Sequence, residues 1–123
     1  MPIDLTIQSE RGRVVAIGRG TVTADDFEDY IAERVRLRVQ DYKQVLDLRE
    51  ATLQLPRSTG LYSVMVRARR ALGIESQVPR TATVAIPGTA TFGLVRQQAI
   101  QDNLQGHEFE VFDSLDAADD WLG

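Results

Sequence analysis

The sequence predicts a single α/β domain with a mixed sheet of about four to five strands, an N-terminal β-hairpin and about four flanking helices. Stretches with an apolar period of two alternate with stretches whose apolar period is helical. The 123 residues make a chain of one-domain length. Apolar residues make up 43% of it and charged residues 26%, a balance typical of a globular protein. We therefore expect residues 1–123 to fold as one domain.

The first two predicted strands form a hairpin over residues 3–22. In "IDLTIQS" the apolar residues alternate with polar ones, as in a strand with one buried face. Gly12 allows a tight reversal, after which "RVVAIGRGTV" resumes an extended pattern. Gly18 and Gly20 indicate a bulge in this second strand.

A first helix is predicted after the hairpin. Thr23 and Asp26 have the spacing of a capping box, in which each side chain bonds a backbone N–H of the other residue. Phe27, Ile31 and Val35 then recur every four residues, as on the apolar face of an amphipathic helix of about four turns.

The remaining strands and helices alternate. "YKQVLDL" and "TATVAIP" have the continuous apolar character of strands covered on both faces, and "HEFEVF" alternates. A third helix is expected to close at Gly106, and a last one to be capped by Asp113 or Ser114 and held to the sheet by Trp121. Alternating strands and helices predict parallel strands joined by right-handed crossovers.

The second helix is expected from near Ser58 to Gly73. Its buried stripe should consist of apolar residues three or four positions apart, namely Leu61, Val64 or Met65, Ala68 and Leu72. Its exposed side should carry the arginines of this region, namely Arg57, Arg67, Arg69 and Arg70.

Composition narrows the classes of function. The chain has 14 Lys and Arg against 18 Asp and Glu, a net charge of −4, which argues against nucleic acid as a partner. No apolar run reaches the roughly 18 residues of a membrane-spanning helix, and the N-terminus lacks the pattern of a secretion signal, so we expect a cytoplasmic protein without stable membrane insertion.

The residue types also argue against catalysis. Without cysteine the chain can form no disulfide, thiol nucleophile or cysteine-ligated zinc site. Its one histidine, His107, cannot build a histidine-rich metal site, and a Ser-His-acid triad would have to use it. We therefore expect a protein that is not an enzyme, with no catalytic residues, metal or cofactor.

Three segments taken in order, "VLDLREATLQL", "AIPGTATFGLVRQ" and "FEVFDSLDAADDWLG", resemble the small bacterial SpoIIAA-like proteins, also described as STAS or SEC14-like. The resemblance spans nearly the whole chain and implies a mixed four- or five-stranded sheet with flanking helices. In the anti-sigma-factor antagonists with the STAS fold, a strand like "VLDL" leads to an Asp-Ser-Ser-Gly or Asp-Ser-Thr-Gly turn whose first serine a partner kinase phosphorylates. SEC14-like relatives imply an apolar ligand, although this chain lacks the extra gate elements of large lipid pockets.

The residues that match the phosphorylated turn are Arg57, Ser58, Thr59 and Gly60. Arg57 stands where the family has an acidic residue, and the segment before Ser58 is about two residues longer. Two interpretations of Ser58 stay open: an N-cap of the second helix, or a phosphorylation site whose phosphate would meet the positive end of that helix and Arg57. Thr59 is the alternative phosphorylation site.

A second candidate region is "PGTATFG", between a predicted strand and helix. The carboxyl ends of parallel strands usually hold ligands in open α/β sheets, so Thr89, Thr91 and nearby N–H groups are candidates for holding an anion. The competing interpretation is a capped turn that places Phe92 in the core. The segment has no Gly-Lys-Ser/Thr as a phosphate-binding P-loop would, and its glycine spacing does not match a dinucleotide fingerprint.

Three arginines, Arg49, Arg57 and Arg96, are expected at that same end of the sheet, where three cations would favour an anionic ligand. The alternative is that they pair with acids such as Glu50 or stay solvated.

These observations favour a non-enzymatic interaction module, regulatory in role, that binds a protein partner and is switched by phosphorylation near Ser58. The alternative function is binding of a small apolar or anionic ligand in a pocket between sheet and helices. Its expected lining is Leu61, Met65, Phe92 and Val95. Self-association as a homodimer through the hairpin edge is a further expectation.

Overall fold

A computed structural model describes residues 2–57 and 59–123. Its elements are, in chain order, β1 (Ile3–Gln8), β2 (Arg13–Thr23), α1 (Ala24–Arg36), β3 (Lys43–Gln54), α2 (Leu61–Ala71), β4 (Thr81–Val84), α3 (Ala90–Leu104), β5 (Phe109–Phe112) and α4 (Leu115–Leu122). The strands form one sheet in the order β1-β2-β3-β4-β5. β1 is antiparallel to β2 and the other pairs are parallel. This is the mixed α/β sheet with an N-terminal hairpin that the sequence predicts.

Three helices cover one face of the sheet, and one helix covers the other. Each parallel crossover joins neighbouring strands, so right-handed connections place α1, α2 and α3 on one face. The larger core lies there and includes Phe27, Leu46, Met65 and Val95. α4 covers the opposite face through a smaller cluster, which consists of Val45, Ala82, Val84, Ala118 and Leu122.

The predicted capping box at the start of α1 is confirmed. The backbone N–H of Asp26 donates to Oγ1 of Thr23 at 3.3 Å, and the N–H of Thr23 donates to the Asp26 carboxylate at 2.8 Å. Aspartate thus performs the role that glutamate or glutamine usually has in this motif.

The predicted bulge lies at Gly18. The β2–β3 register shifts there, so that Gly18 faces both Leu48 and Arg49. A β-carbon on Gly18 would lie 2.8 Å from Cδ2 of Leu48, which explains why glycine occupies this position. Beyond the bulge β3 continues to Gln54, well past the expected end of the strand, because the second half of β2 supplies its hydrogen-bond partners.

α2 begins later than predicted. Its first residue is Leu61 and its N-cap is Gly60, in an extended conformation with φ −85° and ψ 164°. The N–H of Thr59 donates to the carbonyl of Pro56 at 3.0 Å, so a tight turn takes up the residues expected to start the helix. Ser58 itself lies outside the described residues.

The buried stripe of α2 also differs from the expectation. Arg69 is only 5% exposed, whereas Leu72 is 38% exposed. Arg69 lies four residues after Met65 and eight after Leu61, so it faces the protein interior. Leu72 is already the C-cap, where the chain leaves the helix.

β1 and β5 are the two edges of the sheet. Among the described residues β1 pairs with β2 alone, so the self-association expected at the hairpin edge stays a prediction. In the same part of the chain, no helix has both the length and the hydropathy needed to cross a bilayer.

Candidate functional site

A cavity of about 520 Å³ lies between the N-terminal turn of α2 and the outer side of α3. Its lining consists of Thr59, Gly60, Ser63, Leu94, Gln97 and Gln101. We call it the α2–α3 cavity. Both helices begin at the carboxyl edge of the parallel sheet, and this places the segment around Thr59 against α3.

The first turn of α2 differs electrostatically from those of α1 and α4. It contains no acidic residue, whereas α1 begins with Asp25 and Asp26 and α4 has Asp116. Gly60, as the N-cap, has no side chain with which to accept a hydrogen bond. The partial positive charge at this helix end is therefore not offset by a carboxylate of its own first turn, and it favours an anion.

The hydroxyl groups of Thr89 and Thr91 are both used within the fold. Thr89 is the N-cap of α3: its Oγ1 accepts from the N–H of Phe92 at 3.2 Å and donates to the carbonyl of Ile86 at 2.7 Å. Thr91 is buried and donates to the carbonyl of Ala51 in β3 at 3.0 Å. These contacts match the capped-turn interpretation, and a role for either residue in binding an anion stays a prediction.

Arg49 is held by a carboxylate of its own strand. Its Nε and Nη2 donate to the two oxygens of Asp47 at 3.0 and 2.9 Å. Burial works against ionisation of Asp47, but the hydrogen bonds from Arg49 outweigh it, and the pKa of Asp47 is lowered. Asp47 follows the alternation of Val45, so this pair lies on the α4 face of the sheet.

Arg96 lies elsewhere. It lines a groove of about 390 Å³ between α3 and β5, together with Phe92, Ile100 and Glu110. α3 covers the face opposite to the one that carries Arg49, so the structure does not bring these two arginines together. Arg57 is exposed in the turn before α2.

The alternative apolar pocket is filled by the core. Leu61, Met65 and Val95 are each 1% exposed and belong to the larger core cluster, against which Phe92 packs. The space between sheet and helices around these residues is therefore occupied by their own side chains.

A polar cluster that was not predicted from the sequence lies where α2 and α3 end. Nδ1 of His107 lies 3.0 Å from Oδ1 of Asp102, a residue that is fully buried. Burial raises the pKa of Asp102, against the opposing effects of the His107 hydrogen bond and the Arg69 charge. One feature of the sequence could have indicated this cluster: Asp102 lies seven residues after Val95, which places a carboxylate on the buried side of α3.

Within residues 2–57 and 59–123, no group of three or more histidine or carboxylate side chains is arranged to hold a metal ion.

No protein-family model matches the sequence, and no curated protein matches it. Several solved structures are similar to the structure of this chain. An uncharacterised protein of the DUF3478 family with a SpoIIAA-like fold, from Shewanella loihica PV-4, has a TM-score of 0.61 at 16% identity and covers 98% of this chain and 92% of its own. The anti-sigma factor antagonist SpoIIAA in its unphosphorylated form has a TM-score of 0.52 at 14% identity, covering 98% of each chain. The Bacillus cell fate determinant SpoIIAA in the phosphorylated form has a TM-score of 0.53 at 11% identity, covering 98% of this chain and 99% of its own. At identities this low, the structural likeness shows a common fold and nothing more. The protein described here has the SpoIIAA-like fold of the STAS type.

Proposed function

We propose that this chain is a non-enzymatic, regulatory protein-binding module whose partner contacts the α2–α3 cavity and its rim. The observation that carries the proposal is the position of the cavity, at the start of α2 and directly after the turn that carries Thr59. The SpoIIAA structures support it, since the protein with that fold is described as an anti-sigma factor antagonist.

The chemistry of the cavity suits a protein partner. Its lining offers hydroxyl groups, side-chain amides and one leucine, with no charged side chain. Uncharged donors and acceptors can be buried against a partner without the cost of desolvating an ion, and depletion of charge at the centre is a feature of protein interfaces.

Phosphorylation of Thr59 or Ser58 is the proposed switch. A phosphate beside the first turn of α2 would be favoured by the helix end and would add about −1.5 to −2 units of charge to a surface that has none at its centre. Arg57, exposed two residues before Thr59, is available to pair with it. The phosphorylated form of SpoIIAA supports this part of the proposal by analogy of fold.

Site-specific photo-crosslinking tests the binding surface in the cells that make the protein. A photoreactive amino acid in place of Gln97 should capture a defined partner, whereas one in place of Glu28, on the exposed side of α1, should not. Adding Thr59→Glu should abolish the Gln97 crosslink. Thr21→Glu, at an exposed position of β2, is the matched control and should preserve it.

Phosphopeptide mapping of the protein from the same cells should then locate phosphate on Ser58 or Thr59. A Gln97 crosslink that survives Thr59→Glu, or equal crosslinking from positions 97 and 28, would overturn the proposed surface. An unphosphorylated turn under every growth condition tried would overturn the switch and leave the binding surface standing.

A further inference from the structure

Within the residues that the structure describes, Arg69 is a buried cation without an ion-pair partner. It is 5% exposed, and its Nε is enclosed and lacks a hydrogen-bond acceptor in the described part of the chain. Within the same residues, none of the ion pairs closer than 4.0 Å involves this guanidinium. Because a buried charge is costly unless it is paired, the position calls for an anion.

Asp102, the acid whose charge acts most strongly on Arg69, only partly meets this need. Asp102 lies close enough for its charge to act on Arg69, but its Oδ1 is engaged by His107. Its Oδ2 is buried and, in the described residues, has no hydrogen-bond partner either. The acid and the guanidinium therefore offset each other in net charge without forming a close pair.

Arg69 and His107 line the same cavity, which has a volume of about 350 Å³. The other lining residues are Tyr62, Val66, Arg70, Glu75 and Gln105. Arg70 donates to Glu75 at 2.8 Å, so these two charges neutralise each other. Since Nδ1 of His107 is used by Asp102, the ring nitrogen left for a ligand is Nε2. The cavity is far larger than the roughly 30 Å³ that one water fills.

We propose that this cavity binds a small oxyanion, the carboxylate or phosphate group of a soluble ligand, between the guanidinium of Arg69 and the Nε2–H of protonated His107. In the occupied state two cations, Arg69 and His107, face two anions, Asp102 and the ligand. Nδ1–H of the ring donates to Asp102 while Nε2–H donates to the ligand, so the histidine joins the buried acid to the anion.

Charge balance sets how binding depends on pH. The titratable and charged groups around Arg69 and His107 are Arg70 and Tyr62 from α2, Glu75 after it, Asp102 from α3 and, acting on Arg69 from α1, Arg34. Because the occupied site uses a doubly protonated ring, binding of the anion is coupled to uptake of a proton and should weaken as the pH rises. The ends of α2 and α3 carry partial negative charge, which opposes an anion and makes the expected affinity modest, about millimolar.

His107 is the only histidine, so the histidine ring signal followed in NMR spectra, that of Hε1, reports on this site alone. The full chain is titrated at constant ionic strength with inorganic phosphate in one series, acetate in a second and chloride in a third, each to about 10 mM, which would fill a site of millimolar affinity. A saturable shift of the ring signal with phosphate or acetate, but not with chloride, is expected, and the series that saturates identifies the anionic group.

Arg69→Gln should weaken this binding about ten-fold or more, as expected for the loss of a charge-assisted hydrogen bond. Arg67→Gln, at an exposed position of the same helix, is the matched control and should bind normally. Should Arg69→Gln fail to fold, the milder Arg69→Lys and a phosphate-dependent rise in the wild-type melting temperature serve the same purpose.

A shift that stays linear in concentration, that chloride reproduces, or that persists unchanged in the Arg69 variant would overturn the proposal. Crosslinking of a partner through Gln97 does not involve this cavity. Arg69→Gln should therefore leave the Gln97 crosslink intact, so each of the two proposals can fail without the other.

Discussion

The guanidinium of Arg13, in β2, donates a hydrogen bond to the carboxylate of Asp119, in α4, across 106 positions of sequence. A second N–H of Arg13 reaches the carbonyl of Gly123 at 3.1 Å. Arg13 is 1% exposed, so a buried cation of β2 fastens the last helix to the sheet.

Arg13→Gln should therefore loosen α4. Trp121 is the only tryptophan, and its ring lies 5.8 Å from that of Phe112 and 4.1 Å from the guanidinium carbon of Arg80. We expect red-shifted Trp121 emission and faster amide exchange in α4. Arg11→Gln is the control, because Arg11 is 43% exposed and 3.6 Å from Asp119. Unchanged emission in the Arg13 variant would show that apolar packing alone holds the helix.

Gly18→Ala should destabilise the protein. The new methyl group would lie 2.8 Å from Cδ2 of Leu48, so this buried side chain, which is 1% exposed, would have to shift. We expect denaturant unfolding to show a loss of about 1–3 kcal/mol. Gly93→Ala, in α3, meets no atom within 4 Å and should instead stabilise the protein by about 0.5–1 kcal/mol. Equal effects at the two positions would contradict the bulge packing.

Arg49→Met should change how stability depends on pH. The pKa of Asp47 is lower in the folded than in the unfolded chain, so the stabilisation from this pair is present above the unfolded value and lost as the pH falls through the folded one. Since Arg49 is 37% exposed, the loss near neutral pH should be only about 1 kcal/mol. Urea unfolding of both forms should show the difference shrinking below about pH 4. A constant difference across this range would exclude Asp47 as the titrating group.

Thr91→Val should weaken the attachment of α3 to the sheet. The substitution keeps the shape of the side chain but leaves the carbonyl of Ala51 without its donor, at a cost of about 1–2 kcal/mol. Thr89→Ala removes the N-cap of the same helix and should cost about 1 kcal/mol. Denaturant unfolding measures both, and a Thr91 variant as stable as the parent would remove the structural role assigned to its hydroxyl.

The candidate site was predictable in part. The sequence placed Thr59 and Thr89 at helix starts on the carboxyl edge of a parallel sheet, because strand and helix order determines that edge. The sequence did not predict that Arg49 and Arg96 lie on opposite faces of the sheet. The face of Arg49 depends on strand alternation, and that of Arg96 on the exact start of a helix. The cluster around Arg69 escaped prediction because an arginine in a basic run has the pattern of a solvated surface.

By itself the sequence determined the order of the elements, the hairpin, the capping box at Thr23 and the bulge at Gly18. Each of these depends on neighbours a few residues apart, through side-chain period, backbone dihedral angles and capping hydrogen bonds. Only the tertiary structure decided that Arg13 and Arg69 are buried and that β3 continues to Gln54. A buried charge is stable only when residues from distant segments surround it, and a long strand only when a neighbouring strand supplies its hydrogen bonds. A local sequence pattern does not specify these long-range contacts.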